Sequence, residues 1–236
     1  MSALLSVQDL HAHYGKSHIL HGVSFGVGRN EVVSLLGRNG SGRSTTMKAI
    51  MGLVPPTSGR IRLDGRDLAG ARPYEVCRAG IGYVPEEREV FANLTVDENL
   101  RMGEQRAVPG ATRWQVEQMF DYFPRLKERR NTRAGSLSGG EQQMLTLCRS
   151  LLGNPLVLLV DEPTEGLAPK LVAQVGECIR DMHRRGVSVV LVEQKLAIAL
   201  KVSTRVCVMG HGAVVFEGSP QQLAADDKLL SEWLAV

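Results

Sequence analysis

Apolar and polar residues alternate in the first part of the chain and then give way to continuous apolar runs. Residues 4–10 and 23–27 alternate, as half-buried strands do. Residues 31–36 are apolar and β-branched and lead directly into a glycine-rich loop, after which residues 44–51 have a helical pattern. This order of strand, glycine loop and helix is the context that a phosphate-binding loop requires.

The pattern changes twice further along the chain. Residues 58–65 indicate one more strand, which ends in an Asp-Gly turn. From about residue 95 to residue 130, Leu, Met, Trp and Phe recur at helical spacing, interrupted by Pro109-Gly110 and Pro124. The apolar runs 156–160 and 187–192 are typical of central strands in a parallel sheet, which is buried on both faces. The patterns together predict an α/β fold.

Composition excludes several classes of function. The 236 residues, 43% hydrophobic and 22% charged, predict a packed globular core. A net charge of +3 without a basic run does not favour nucleic acid as a partner. The longest apolar run is far below the roughly 20 residues of a membrane span, and the first residues lack the features of a signal peptide. We therefore expect any membrane role to depend on a partner.

The glycine-rich loop carries the first chemical signal. Its spacing is G-x-x-x-x-G-K-S/T, except that arginine stands where lysine is expected. Small glycines let backbone N–H groups point inward, where they and the next helix N-terminus bind the β- and γ-phosphates of a nucleoside triphosphate. Ser44 is placed to ligate Mg²⁺. The residues predicted to bind the nucleotide here are Gly37, Arg38, Asn39, Gly40, Ser41, Gly42, Arg43, Ser44 and Thr45.

The apolar run 156–160 carries the second signal, because it ends in two acids. A strand of this kind brings Asp161 to the Mg²⁺ shell. The adjacent Glu162 is then placed to act as general base on the attacking water. A buried strand that merely ends in two acids is the alternative, and it carries little weight beside the glycine loop.

A third motif, Leu-Ser-Gly-Gly-Glu at 137–141, resembles the signature sequence of ATP-binding cassette (ABC) ATPases. Physically it is another helix N-terminus, with Ser138 and the amides of Gly139 and Gly140 placed to hold a γ-phosphate, and we include Glu141 in this nucleotide-binding set. In that family the motif serves the nucleotide on the opposite subunit. The resemblance therefore implies a head-to-tail dimer that sandwiches two ATP molecules.

Other motifs of that family match one at a time. Tyr14 falls where the family stacks an aromatic ring on adenine, although a core tyrosine is the alternative. Glu86 stands at the Q-loop position, usually a glutamine that contacts Mg²⁺ and water, and residues 165–168 match the D-loop. Gln194 replaces the usual switch histidine; it can hydrogen-bond a γ-phosphate but cannot become cationic. We expect His211 to be an exposed turn residue and no substitute for that switch.

The resemblance narrows to one subgroup, the ATPase subunits of branched-chain or hydrophobic amino-acid importers. It rests on 84–86, 161–169 and 192–194, while 14–20 and 73–75 also resemble urea and short-amide importers. It implies a subunit that hydrolyses ATP and powers uptake through ATP-driven dimer closure. The implied partners are a second ATPase subunit, identical or different, transmembrane permease subunits and, indirectly, a periplasmic or extracellular solute-binding protein. The implied location is the cytoplasmic face of the cell membrane.

The resemblance also implies one ABC ATPase domain over residues 1–236. Its expected fold is an α/β P-loop NTPase core with a mostly parallel sheet, an N-terminal antiparallel β-region and a helical subdomain at about 87–150. Cassette ATPases of DNA repair and chromosome organisation carry long coiled coils between P-loop and signature, for which this chain has no room. Cassette proteins that act on ribosomes normally carry two cassettes. A regulatory or structural subunit that does not hydrolyse ATP stays open because of Arg43.

Arg43 leaves three interpretations open. Arginine keeps the charge of lysine but is longer, planar and forked, so the exchange is not conservative. Either Arg43 binds phosphate with slowed hydrolysis, or it marks a degenerate site whose partner site does the work, or the exchange is neutral. The second interpretation has a mechanism, because each composite site uses one chain's P-loop and the other's signature, and the 137–141 motif is intact.

Overall fold

Ten strands and ten α-helices, together with a short 3-10 helix at Ala134–Ser136 and a π-helix at Leu230–Leu234, are assigned in the computed structural model, which describes residues 3–234. The strands are β1 Leu5–Tyr14, β2 Ser17–Val27, β3 Val32–Leu36, β4 Pro56–Leu63, β5 Arg66–Asp67, β6 Ile81–Val84, β7 Val157–Asp161, β8 Ser188–Val192, β9 Arg205–Gly210 and β10 Ala213–Gly218. The helices are α1 Arg43–Ile50, α2 Pro73–Ala79, α3 Val96–Gly103, α4 Val116–Tyr122, α5 Pro124–Glu128, α6 Gly139–Leu151, α7 Pro169–Arg184, α8 Leu196–Val202, α9 Pro220–Ala224 and α10 Asp227–Leu229.

The strands form one antiparallel and one mostly parallel sheet, as predicted. The antiparallel sheet has the order β2-β1-β4-β5, and the second sheet has the order β10-β9-β3-β8-β7-β6. In the second sheet, every neighbouring pair from β9 to β6 is parallel, and only β10 is antiparallel. This order places β8 between β3 and β7, so the chain segments that follow β3 and β7 emerge at the same edge.

The parallel sheet separates the two larger of the three hydrophobic clusters found among the described residues. All five residues of β3, of β7 and of β8 are buried, because both faces of these strands are covered. Along β7, Val157 and Leu159 face the cluster shared with the antiparallel sheet. Leu158 and Val160 face the cluster shared with helices α3 to α7. Both faces of the sheet are therefore packed against apolar side chains.

The first two strands are longer than predicted. The alternation suggested strands at 4–10 and 23–27, but β1 continues to Tyr14 and β2 already begins at Ser17. A β-bulge with Asp9 at φ 46° shifts the pairing between the two strands and interrupts the alternation. In β2, histidines on the exposed face hide the strand pattern, although Leu20 and Val23 are fully buried beneath them.

The helical region between β6 and β7 is less regular than predicted. Helical spacing continued up to the break at Pro124, but an irregular stretch follows α3 and α4 begins only at Val116. Trp114 is buried although it lies outside the helix, and its backbone N–H donates to Asn154 Oδ1 at 2.7 Å. Packing of that side chain, without helix formation, explains its place in the apolar pattern. Among residues 3–234, the structure contains no helix that is both long and apolar enough to span a membrane.

Candidate functional site

A cavity of about 320 Å³ lies at the edge where β3 and β7 end. The glycine loop forms one side, and residues after β6, β7 and β8 form the other. The lining residues are Asn39, Gly40, Ser41, Gly42, Arg43, Ser44, Thr45, Glu86, Glu162, Glu165 and Gln194. The structure thus brings together most of the residues that the sequence predicted for the phosphate end of a nucleotide site.

The loop that follows β3 has the geometry of an anion-binding site. Gly40 and Gly42 have φ of 80° and 100°, a region that favours glycine. Helix α1 begins directly afterwards, and no side chain caps its first N–H groups. The buried hydroxyl of Ser41 has no hydrogen-bond partner among the described residues. Free donors at a helix N-terminus fit phosphate oxygens, so the loop fits the predicted ligand.

Arg43 points across the cavity toward the proposed base. Its Nη2 lies 3.2 Å from Glu162 Oε1 and 3.3 Å from Asn39 Oδ1, and its Nη1 donates to the backbone oxygen of Glu193 at 3.4 Å. The Arg43 and Glu162 side chains are only 5% and 6% exposed. A buried ion pair therefore joins the glycine loop to the end of β7. No pattern in the sequence indicates this pair, because the two residues lie far apart along the chain.

Glu162 is held on both oxygens. Gln194 Nε2 donates to its Oε2 at 2.5 Å, on the side opposite to Arg43. Burial raises the pKa of Glu162, although Arg43 and the Gln194 hydrogen bond act in the opposite direction. The backbone at Glu162 has φ 44°, unusual for a residue other than glycine, and turns the side chain into the cavity. A carboxyl group with a raised pKa in a cavity suits proton transfer from water.

Asp161 lies beneath Glu162 and is fully buried. Ser44 Oγ donates to its Oδ1 at 3.1 Å, and Tyr83 Oη donates to its Oδ2 at 3.3 Å. Burial raises the pKa of Asp161, while the hydrogen bond from Ser44 lowers it. A carboxylate beside a serine hydroxyl is the oxygen donor set that Mg²⁺ prefers, so these residues fit that ion. Sequence reasoning missed Tyr83, which pairs with β7 through β6.

The far side of the cavity is acidic. Carboxylate oxygens of Glu86, Glu162 and Glu165 lie within 4.8 Å of one another. Burial, and then Glu162, Glu165 and Glu87, raise the pKa of Glu86 above its ordinary value. Glu165 was predicted only as the first residue of the D-loop, and the structure adds it to the lining of the site. These carboxylates would repel the phosphates of a bound nucleotide, so the nucleotide requires a cation beside it.

The signature motif lies elsewhere. Ser138 caps α6: its Oγ accepts from the N–H of Glu141 at 3.3 Å, and the Glu141 carboxylate accepts from the N–H of Ser138 at 2.8 Å. Glu141 is thus engaged in fixing the start of its own helix, with Arg129 3.4 Å away. Neither these residues nor Gly139 and Gly140 line the cavity.

Two further predicted positions are exposed. Tyr14 is 48% exposed at the end of β1 and does not line the cavity, so its role toward adenine stays a prediction. His211 is exposed in the turn between β9 and β10, at φ 47°, where the sequence placed it. The structure therefore brings together most residues that were predicted for the phosphate end of the site and places the residues predicted for adenine and for the signature motif outside this cavity.

Comparisons with known proteins give matches over most of this chain. The family model described as "ABC transporter" matches residues 20–165. The chain is 41% identical over 231 residues to the high-affinity branched-chain amino acid transport ATP-binding protein BraG of Pseudomonas aeruginosa, covering 98% of this chain and 99% of that protein. It is 34% identical to the probable branched-chain amino acid transport ATP-binding protein LivF of Archaeoglobus fulgidus, covering 95% and 96%. A crystal structure of a nucleotide-free ATP-binding cassette from an ABC transporter superposes with a TM-score of 0.83 at 26% identity, covering 97% and 98%.

Proposed function

Because the chain belongs to the ABC transporter family of ATP-binding proteins, we propose that it is the ATP-hydrolysing subunit of an importer for branched-chain or other hydrophobic amino acids. One observation carries the ATPase part of this proposal: the uncapped glycine loop and Glu162 line one cavity, and the buried Asp161 accepts a hydrogen bond from Ser44 of that loop. The resemblance to importer subunits over nearly the full chain supports the transport part. Import of urea or short amides is the alternative substrate class.

The residues of the chain have distinct tasks in this mechanism. The loop N–H groups and Arg43 bind the phosphates of ATP. Ser44, Asp161 and Glu86 are the residues that would hold Mg²⁺, which neutralises charge on the phosphates when bound. Glu162 takes a proton from the attacking water, and Gln194 keeps the Glu162 carboxylate oriented through their hydrogen bond.

A second copy of this chain, or a different ATPase subunit, completes the site. The signature residues Ser138, Gly139 and Gly140 stay outside the cavity of their own chain. They begin a helix whose N-terminus is fixed by the Ser138–Glu141 capping box, which keeps the motif in shape for a phosphate on another subunit. Head-to-tail closure over two ATP molecules is therefore part of the proposal.

The transport role needs further partners. We expect one cassette domain over 1–236, whose helical subdomain at about 87–150 and Glu86 loop face transmembrane permease subunits. The subunit would then act at the cytoplasmic face of the membrane. A solute-binding protein would deliver the substrate to the permease, and nucleic acid has no part in this cycle.

Uptake by whole cells tests the substrate class. In a strain that lacks the gene, we expect loss of labelled leucine uptake, restored by the wild-type chain and not by Asp161→Asn. An exposed charge change such as Asp227→Asn, in α10, is the matched control and should restore uptake fully. Normal leucine uptake with lost urea or short-amide uptake would favour the alternative substrate class. Loss of neither would contradict the importer proposal.

One contact favours a second candidate, a subunit whose own site is slow. Arg43 forms a buried ion pair with Glu162, and this contact keeps the proposed base from accepting a proton from water. Such a chain would still provide an intact signature motif to a partner ATPase. ATP turnover measured at each of the two composite sites distinguishes this candidate from a dimer in which both sites hydrolyse ATP equally fast.

A further inference from the structure

The glycine loop rests on the end of β9 and on the turn that follows this strand. Gly212 of the turn donates its backbone N–H to the backbone oxygen of Ser41 at 3.1 Å. At the start of the loop, a Cβ on Gly37 would lie only 2.4 Å from the backbone oxygen of Met209, so the two backbones are in contact. At its end, a Cβ on Gly42 would lie 3.5 Å from Gly212 Cα. Both ends of the loop therefore share one support.

Trp233 packs against the same support. The π-helix Leu230–Leu234 brings this half-buried side chain to Gly210, where a Cβ would lie only 2.1 Å from Trp233 Cζ3. The indole ring meets the His211 ring edge-on, with the centroids 5.4 Å apart and the ring planes at 79°. Trp233 thus contacts the two residues that directly precede Gly212.

The C-terminal segment also covers the strand that leads into the loop. Leu230, Trp233 and Leu234 pack against a buried cluster that contains Leu36, the last residue of β3, and Val208 of β9. These two strands are neighbours in the sheet, with Leu36 opposite Val208. Trp233 does not line the nucleotide cavity, so its influence on a nucleotide passes through the backbone that it contacts.

The turn between β9 and β10 depends on such contacts for its conformation. His211 has φ 47°, which is unusual for a residue other than glycine, and Gly212 has φ 77°. A backbone of this kind keeps one conformation only where its surroundings hold it. If the turn is free to move before the nucleotide binds, ordering one residue of it on binding lowers the affinity by about tenfold.

We propose that Trp233 is a positioning residue for the nucleotide: it holds residues 210–212 in place, and these hold the glycine loop in the conformation that binds phosphate. The inference rests on the proposed ATP site. It adds a role for the C-terminal segment, which none of the nucleotide-binding motifs includes.

Calorimetric titration of the purified chain with a non-hydrolysable ATP analogue tests the proposal. We expect Trp233→Ala to bind the analogue about tenfold more weakly, and Trp233→Phe, which keeps an aromatic ring, to bind nearly as the wild type does. The matched control is Trp114→Ala, which removes the other tryptophan from a cluster in the helical region. This control should lower the Tm and leave the affinity unchanged.

The outcomes separate this inference from the proposed ATP site. No binding by the wild type would refute the ATP site itself. Equal affinity in the wild type and in folded Trp233→Ala would overturn only the role of Trp233, as would an equal loss of affinity in Trp114→Ala. Thermal unfolding shows which variants are folded at the temperature of the titration, and Trp233→Leu takes the place of Trp233→Ala if the latter is not.

Hydrogen exchange without nucleotide measures the support directly. In Trp233→Ala or Trp233→Leu, the amides of residues 210–212 and of residues 37–45 should exchange faster than in the wild type. In Trp114→Ala, the exchange of these two segments should stay as it is in the wild type. Unchanged exchange of both segments in the folded Trp233 variant would overturn the proposal.

Discussion

Replacement of Arg43 by lysine addresses the least usual feature of the site. In the structure the guanidinium contacts Glu162, Asn39 and the backbone oxygen of Glu193 at 3.2–3.4 Å. A lysine ammonium is a compact charge on an unforked stem and cannot make all three contacts. The variant therefore weakens the contact with Glu162 while it keeps one positive charge in the loop.

The expected change in kcat follows from the strength of the Arg43–Glu162 ion pair. Before Glu162 accepts a proton from water and the cation turns to phosphate, the Arg43–Glu162 pair must open. Both side chains are nearly fully buried, so solvent screens the pair little. One hydrogen bond to a charged group contributes about 1.5–3 kcal/mol, which corresponds to roughly a 10- to 100-fold change in rate. We expect Arg43→Lys to raise kcat of ATP hydrolysis by about this factor.

The assay is steady-state ATP hydrolysis by the assembled transporter, with kcat and KM determined separately. Arg106→Lys, at an exposed position, is the matched control and should leave both constants unchanged. Equal kcat in the wild type and Arg43→Lys would refute the idea that the buried pair limits this site. A lower kcat would show instead that the forked guanidinium is the better phosphate ligand.

The remaining predictions concern pH and backbone geometry. Burial raises the pKa of Glu31, but hydrogen bonds from the Arg205 side chain and the Gly28 N–H outweigh burial and hold this pKa below its ordinary value. The ionised Glu31 carboxylate therefore stabilises the fold fully at pH values above the ordinary glutamate pKa, and this stabilisation is lost as the pH falls through the lower pKa of the folded state. Glu31→Gln should therefore cost about 1–3 kcal/mol of unfolding free energy near neutral pH, and chemical denaturation should show the difference shrinking in acid; a constant difference would contradict this. Burial raises the pKa of Glu162, and a general base is inactive once it is protonated. As the pH is lowered, kcat/KM should therefore begin to fall at a pH above the ordinary glutamate range. A pH–rate profile with an ordinary glutamate pKa would argue against Glu162 as the base. Gly37 has φ 151°, and a Cβ there would collide with the Met209 backbone oxygen, so Gly37→Ala should abolish binding of a fluorescent ATP analogue, whereas Gly65→Ala, at φ 81° in open space, should keep it.

The sequence predicted the chemistry of the site better than its contacts. Spacing alone located the glycine loop and Asp161-Glu162, because these segments must follow buried strands to work at all. The pair between Arg43 and Glu162 could not be predicted, since it depends on β8 lying between β3 and β7. Tyr83 was missed for the same reason, because only the pairing of β6 with β7 brings it to Asp161.

The exposed faces were the hardest part to predict. Periodicity reports which residues are buried. It predicted part of β1 and part of β2 from their buried residues, but it did not predict how far either strand extends. The bulge at Asp9 interrupts the pattern, and the histidines on the outer face carry no periodic signal. His11 and His18 approach each other only once the register of the hairpin is set. Contacts that form across strands on an exposed face therefore cannot be predicted from periodicity alone.

The fate of ATP on Glu162→Gln tests the central claim most directly. The substitution keeps the shape of the side chain and removes the base, so the purified subunit, alone and with its transporter partners, should retain unhydrolysed ATP. Light scattering should show a stable ATP-dependent dimer with two nucleotides per dimer. Unchanged hydrolysis by Glu162→Gln, or a chain that retains no nucleotide in any of these assemblies, would contradict the account.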